Sequence, residues 1–312
     1  MPLDPTVKAF LDQMKAAGMP KLQDVGAVVA REQMIALMQM VGPRDVPVGK
    51  TENLTVPSAA GDIPARVYTP VASGGEAMPA LIYFHGGGFV IGSVDVIDGL
   101  CRIMANEGGL RVISVDYRLA PEHKFPAALD DAFAVVSWVA QNAAEVGVDA
   151  NRIAVGGDSA GGALAAEVTQ LAKAKGGINL AAQMLLFPVV QVGEETSSMR
   201  EFAVGYFLER ETLDWFYASY LPADADRTDP RISPLRAKDL SGLPPAFVML
   251  GGYDPLHDEG MQYADKLRAA GVTVQVADHA DMVHDFIYFQ SVLPQARDAL
   301  ADAVKAVAKL MG

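Results

Sequence analysis

Two hydrophobic rhythms divide this chain. Over 4–17 and 24–41, apolar residues recur at helical spacing (Phe10, Leu11 and Met14, then Val28, Ile35, Leu37 and Met38), which predicts two amphipathic helices. Their methionines suit either ordinary core packing or a lid over a binding site. Residues 50–57 and 62–70 then alternate in strand fashion around Ala60-Gly61-Asp62, a hairpin signal. A flexible loop is expected over 71–78, with Ser73-Gly74-Gly75. Beyond it, short apolar runs alternate with helical stretches. Strands are predicted at 79–84, 111–115, 152–156, 182–187, 245–250 and 272–276. Helices are predicted near 96–107, 127–143, 159–174, 256–270 and 291–310. Near-continuous apolar strands alternating with helices mean a mostly parallel sheet covered on both faces. Residues 193–221 interrupt the alternation with two helical segments rich in aromatics, among them Phe202, Tyr206, Phe207, Trp215, Phe216 and Tyr220. An insertion after a strand's C-terminal end lies over the ligand edge of an open sheet. These segments are expected to complete a helical cap with the N-terminal helices.

Composition narrows the field. The chain has 312 residues, with Lys+Arg 25 and Asp+Glu 38 giving a net charge of −13. An acidic chain argues against nucleic acid and anionic membrane surfaces as partners. The single cysteine, Cys101, allows no intrachain disulfide and no cysteine-type zinc site, and reads as a small buried hydrophobe. No run of eighteen apolar residues predicts a membrane span. The start of the chain lacks a basic region followed by an apolar core, so a cytoplasmic location is the expectation.

The chemistry centres on Ile153 to Gly162. A short apolar run meets Gly156-Gly157-Asp158-Ser159-Ala160-Gly161-Gly162 and continues into an Ala-rich helix. Strand, Gly-bounded turn and helix with a serine at the tip make a nucleophile elbow, Gly-x-Ser-x-Gly. The strained turn lifts the hydroxyl above the sheet, and positions 157 and 161 must be small to let strand and helix pass. The same five residues also suit a Gly-rich phosphate turn, so the elbow needs partners. His85-Gly86-Gly87-Gly88-Phe89 follows the apolar run Leu81 to Phe84 and offers unshielded backbone N–H groups of the kind an oxyanion requires. A general base has five histidine candidates. The order serine, acid, histidine removes His85 and His123. His284 sits in the turn after the last strand, His279 five residues earlier, and His257 at a helix start. Asp254 closes the preceding strand, where an acid belongs, while Asp258 and Glu259 come a turn later and are expected to cap the helix or face solvent.

With these residues assembled, the chain resembles the hormone-sensitive-lipase family of α/β-hydrolase esterases, the bacterial family IV carboxylesterases. The resemblance rests on the two motifs above, on Asp116-Tyr117-Arg118-Leu119-Ala120-Pro121-Glu122-His123 with Phe125-Pro126-Ala127-Ala128, on Asp254-Pro255-Leu256 and on Met282-Val283-His284. It implies an α/β-hydrolase fold with about eight strands. It also implies Ser159 as nucleophile, Asp254 as acid, His284 as base, and oxyanion donors from Gly87, Gly88 and Ala160. His85 would then organise its loop. The expected division is 1–48 and 191–222 as cap, with 49–190 and 223–312 as catalytic core. No metal or cofactor is required. The expected activity is hydrolysis of short- to medium-chain carboxylic esters, in an apolar pocket for which Phe207, Leu208 and Trp215 are candidates. An amidase or formamidase would use the same site. A catalytically inactive receptor, like the plant gibberellin receptors that lack the histidine, is disfavoured because all three residues are present. The last strand is expected to be a sheet edge and the seam of a homodimer. One position departs from the pattern: the family usually has Gly after the histidine, and here it is Asp285.

Overall fold

The computed structural model describes residues 1–73 and 77–312, so Gly74 and Gly75 of the expected loop lie outside the described residues. Among them, eight strands form one sheet in the order β1-β2-β4-β3-β5-β6-β7-β8. The strands are β1 (Lys50–Val56), β2 (Ile63–Thr69), β3 (Met78–Phe84), β4 (Arg111–Val115), β5 (Val148–Asp158), β6 (Ala182–Leu186), β7 (Ala246–Tyr253) and β8 (Val274–Val283). β2 runs antiparallel to both β1 and β4, and every other neighbouring pair is parallel. The predicted hairpin is present, with Val56 opposite Ile63.

The central strands are buried on both faces because helices cover both sides. β3, β4 and β6 are almost wholly apolar and buried. One core holds Ile82, Val155 and Leu185 beneath α4 (Ala127–Gln141), α5 (Ala160–Lys175) and α8 (His257–Ala269). The other holds Leu81, Tyr83 and Met184 beneath α3 (Asp98–Gly108) and α9 (Pro294–Met311).

β8 is longer than its apolar run predicts. Residues 277–281 read Ala-Asp-His-Ala-Asp and look like loop, yet they continue the ladder to Val283 opposite Tyr253. At a sheet edge one face meets water, so polar residues belong there. The extension delivers residue 284 to the C-terminal edge of the sheet.

Four helices gather at that edge: α1 (Pro5–Ala17), α2 (Leu22–Val41), α6 (Ser197–Glu201) and α7 (Arg210–Tyr220). Asp4 caps α1 by accepting from the Thr6 and Val7 N–H groups. Phe10 of α1 packs on Phe289, 4.9 Å between centroids. α2 differs from its predicted face. Val28 and Ile35 are exposed, whereas Ala30 and Val41 are buried, with Met34, Leu37 and Met38 packed on the core. Gly26, at φ 76°, breaks the helix near its start. α2 meets α7 through Gln23, which accepts from the Thr212 hydroxyl, and through Lys21, paired with Glu209 and Glu211 at 3.0 Å each. Arg31 of α2 donates to the carbonyls of Val90 and Ala120 and forks onto Glu122. No helix among the described residues is long and apolar enough to cross a membrane.

Candidate active site

Three strand ends supply the three polar residues. β5 passes through Gly156 and Gly157 into Ser159, whose φ of 53° and ψ of −116° place it in a region non-glycine residues rarely enter. The turn is held open by its neighbours. The Ser159 N–H donates to the Leu186 carbonyl at 2.8 Å, and the Ser159 carbonyl accepts from Ala163 and Val189. A Cβ at Gly157 would meet the Gly161 backbone and the Phe84 carbonyl. A Cβ at Gly161 would meet the carbonyls of Phe84 and His85. The elbow and the glycine loop therefore touch backbone to backbone.

β7 ends at Tyr253 and sets down Asp254, which is fully buried. Its Oδ1 accepts from the Leu256 N–H at 2.8 Å and its Oδ2 from His284 Nδ1 at 2.6 Å. β8 ends at Val283 and sets down His284, also buried. His284 Nε2 lies 2.9 Å from Ser159 Oγ. Carboxylate, ring and hydroxyl form one hydrogen-bonded line, the geometry of a Ser-His-Asp triad. The other candidates lie elsewhere: His279 is on the side of β8 against Phe286, and His257 starts α8 beside Asp258 and Asp278. Burial opposes charge on the His284 ring, but Asp254 and then Asp285 outweigh it and hold the imidazole well above its ordinary value.

The glycine loop leaves β3 at Phe84. Gly87 (φ 113°) and Gly88 (φ 61°) adopt conformations suited to glycine, and the Gly87 carbonyl accepts from Val90 and Ile91. Among the described residues, the N–H groups of Gly87 and Gly88 have no acceptor. Ala160 is the first residue of α5, where a helix leaves its N–H groups unpaired. His85 is buried beneath, stacked on Tyr117 at 4.3 Å, and its carbonyl accepts from the Tyr117 hydroxyl.

Phe216 of α7 lies directly on Gly88, where a Cβ would strike its ring. Trp215 packs on Phe216 at 5.0 Å, Phe207 stands edge-on to Phe289 at 4.9 Å, and Leu208 is buried in the core. Phe187, which follows β6, is fully buried with its ring edge-on to His284 at 5.7 Å. Neither Phe187 nor Phe216 is separable from core aromatics by sequence spacing. A cleft of about 550 Å³ between α2 and α3, lined by Met38, Arg44, Asp95 and Arg102, does not include Ser159 or His284 in its wall.

Two buried carboxyl groups escaped the sequence reading. Asp158, beside the serine, accepts from the Tyr83 and Tyr288 hydroxyls at 2.7 and 2.8 Å, and burial followed by the Asp285 charge pushes it up to about 7. Glu259 neither faces solvent nor caps its own helix. It is fully buried, and Oε1 accepts from the Val190 and Gln191 N–H groups at 2.8 and 3.2 Å. Asp258 does cap, but a different helix: it accepts from the Ser198 N–H in α6. Burial pushes Glu259 from 4.5 up to about 8. A carboxyl raised on folding gives stability that is complete below its unfolded pKa and is lost as pH rises through its folded one. Glu259→Gln keeps the acceptor oxygen and removes the ionisation. The decline in melting temperature from about pH 4.5 to about pH 8 therefore becomes shallower than in the parent. Parallel declines in thermal scans across that range would count against a neutral Glu259.

A strand-turn-helix serine, an unpaired glycine loop and a buried acid–base pair at one edge of a mostly parallel sheet define an α/β hydrolase, and the family model for the alpha/beta hydrolase fold matches residues 81–288. The chain belongs to that family, and within it to the hormone-sensitive-lipase type, the carboxylic ester hydrolases. Carboxylic ester hydrolase LipN of Mycobacterium tuberculosis is 43% identical over 292 residues, covering 91% of this chain and 77% of the relative. Ethyl acetate hydrolase of Pseudomonas putida is 42% identical, covering 78% of each. Among solved structures, LAE6, an alpha/beta hydrolase enzyme from the metagenome of Lake Arreo, Spain, superposes with a TM-score of 0.96 at 41% identity over 98% of both chains.

Proposed function

We propose that the chain hydrolyses short- to medium-chain carboxylic esters through an acyl-enzyme on Ser159. The observation that carries this reading is the unbroken line Asp254–His284–Ser159, at 2.6 and 2.9 Å, ending beside the free N–H groups of the glycine loop. His284 Nε2 takes the Ser159 proton as Oγ attacks the ester carbonyl. The carbonyl oxygen, now anionic, is received by the N–H groups of Gly87, Gly88 and Ala160. Collapse expels the alkoxide, which leaves with the proton from His284. Water then repeats the sequence, giving its proton to the same nitrogen and releasing the acid. Asp254 fixes the ring tautomer and balances the imidazolium charge.

In this reading residues 1–48 and 191–222 form a cap that bounds the pocket. Phe207, Leu208 and Trp215 are candidate wall residues, and Phe216, resting on Gly88, joins them. Rings packed this near the oxyanion loop restrict the room for an acyl chain. The relative named ethyl acetate hydrolase supports a short acyl group. Hydrolysis of p-nitrophenyl esters from acetate to laurate tests this. Turnover peaking at short to medium chains is expected. A maximum at laurate would sink the pocket-size argument, and an amide hydrolysed faster than any ester would favour the amidase reading.

A further inference from the structure

Asp285 is bent into a left-handed conformation, φ 51° and ψ 28°, directly after the catalytic histidine. Asp tolerates that region at a cost that glycine does not bear. Its side chain points back into the site. Oδ2 lies 3.3 Å from His284 Nε2, the nitrogen that also meets Ser159, and Oδ1 is buried with no hydrogen-bond partner among the described residues. The other titratable neighbours of the ring are engaged elsewhere. Asp158, from β5, accepts two tyrosine hydroxyls, and Glu259, from α8, accepts two backbone N–H groups. Asp254, from the end of β7, holds Nδ1, and β6 presents only the edge of Phe187. Among the described residues, Asp254 and Asp285 are the two carboxylates within ion-pair distance of the ring, one on each nitrogen.

We propose that Asp285 is a positioning residue for His284, gripping the protonated ring from the Nε2 side as Asp254 grips it from Nδ1, and thereby setting the pH at which the base becomes free. This rests on the triad reading above. In the resting enzyme a carboxylate 3.3 Å from Nε2 favours the imidazolium, which cannot accept the Ser159 proton. The acid limb of activity is therefore displaced upward. Once the base is free it is also the stronger for it, because the same carboxylate steadies the imidazolium formed during attack.

The test compares the parent with Asp285→Asn, which keeps the shape and tolerates the left-handed backbone, and Asp285→Gly, which also relieves it. In each, kcat/KM for p-nitrophenyl acetate is followed against pH, and the His284 ring Cε1–H resonance is titrated by NMR, assigned with His284→Asn. Both variants are expected to lower the acid-limb midpoint by roughly one pH unit, with the resonance moving in step. Midpoints and titrations that stay with the parent in both variants overturn the proposal. A shift in Asp285→Gly alone also overturns it, because backbone relief rather than charge would then be the cause. Turnover that survives Ser159→Ala sinks the triad reading instead, and the NMR titration, which needs no turnover, still decides the role of Asp285.

Discussion

Ser159→Ala is expected to abolish ester turnover, with kcat falling on the order of 10⁴-fold or more while the fold is kept. The size of the loss follows from the arrangement. Without Oγ, the His284 base at 2.9 Å has no proton to take and no acyl-enzyme forms. Only the oxyanion donors and the pocket remain, and these act on water far less effectively. The substitution removes one oxygen from a residue that is nearly buried, and alanine must still adopt the φ of 53° that serine holds. Stability therefore changes little beside activity. Pre-steady-state release of p-nitrophenol supplies the check. The parent gives a burst when deacylation is slow, and the variant gives none. A variant with more than about a hundredth of parental kcat would mean that another group is the nucleophile.

Gly161→Ala is expected to do the opposite, damaging the fold and taking activity with it. The added Cβ falls on the carbonyls of Phe84 and His85, which are backbone and have no rotamer to move into. Either β3 and its glycine loop shift away from the elbow, or α5 tilts. Overpacking of this kind costs on the order of 3 kcal/mol. In a chain of 312 residues that lowers the melting temperature by roughly 5 °C. Unlike Ser159→Ala, the change moves the Gly87 and Gly88 N–H groups relative to Ser159, so turnover falls even in the fraction that folds. Thermal scanning calorimetry with parallel ester assays separates the two variants. A Gly161→Ala protein as stable and active as the parent would refute the close backbone approach.

Much of this was legible in the chain. Parallel strands buried on both faces have no polar phase to disguise them, so β3, β4 and β6 stand out as apolar runs. The elbow and the glycine loop are legible for a different reason: only glycine permits their close approach, so the constraint is written as residue type. The order serine, acid, histidine then removes His85 and His123, and the turns after the last two strands point to Asp254 and His284. Less legible is whatever depends on a neighbour distant in sequence. The second half of β8 looks like loop because its polar face is an edge. The phase of α2 is misread because Ala30 and Met34, rather than Val28 and Ile35, face the core. Glu259 looks like an ordinary first-turn acid until Val190 and Gln191 are seen to donate to it. Phe216 carries no mark that separates it from Phe202 or Tyr206. Only the position of Gly88 beneath its ring singles it out.

The packing of α1 and α2 has a consequence for the order of assembly. Asp4 donates its N–H to the Asp281 carbonyl, Phe10 lies on Phe289, and Ser291 reaches the backbone of Val41. Lys21 finds Glu211 across 190 positions. Segments synthesised early thus bind surfaces synthesised much later. Until then Phe10 lacks its Phe289 partner, and contacts of such long separation form slowly. During synthesis α1 is a waiting, sticky segment of the kind that chaperones shield, and it docks only once the chain just beyond β8 is in place.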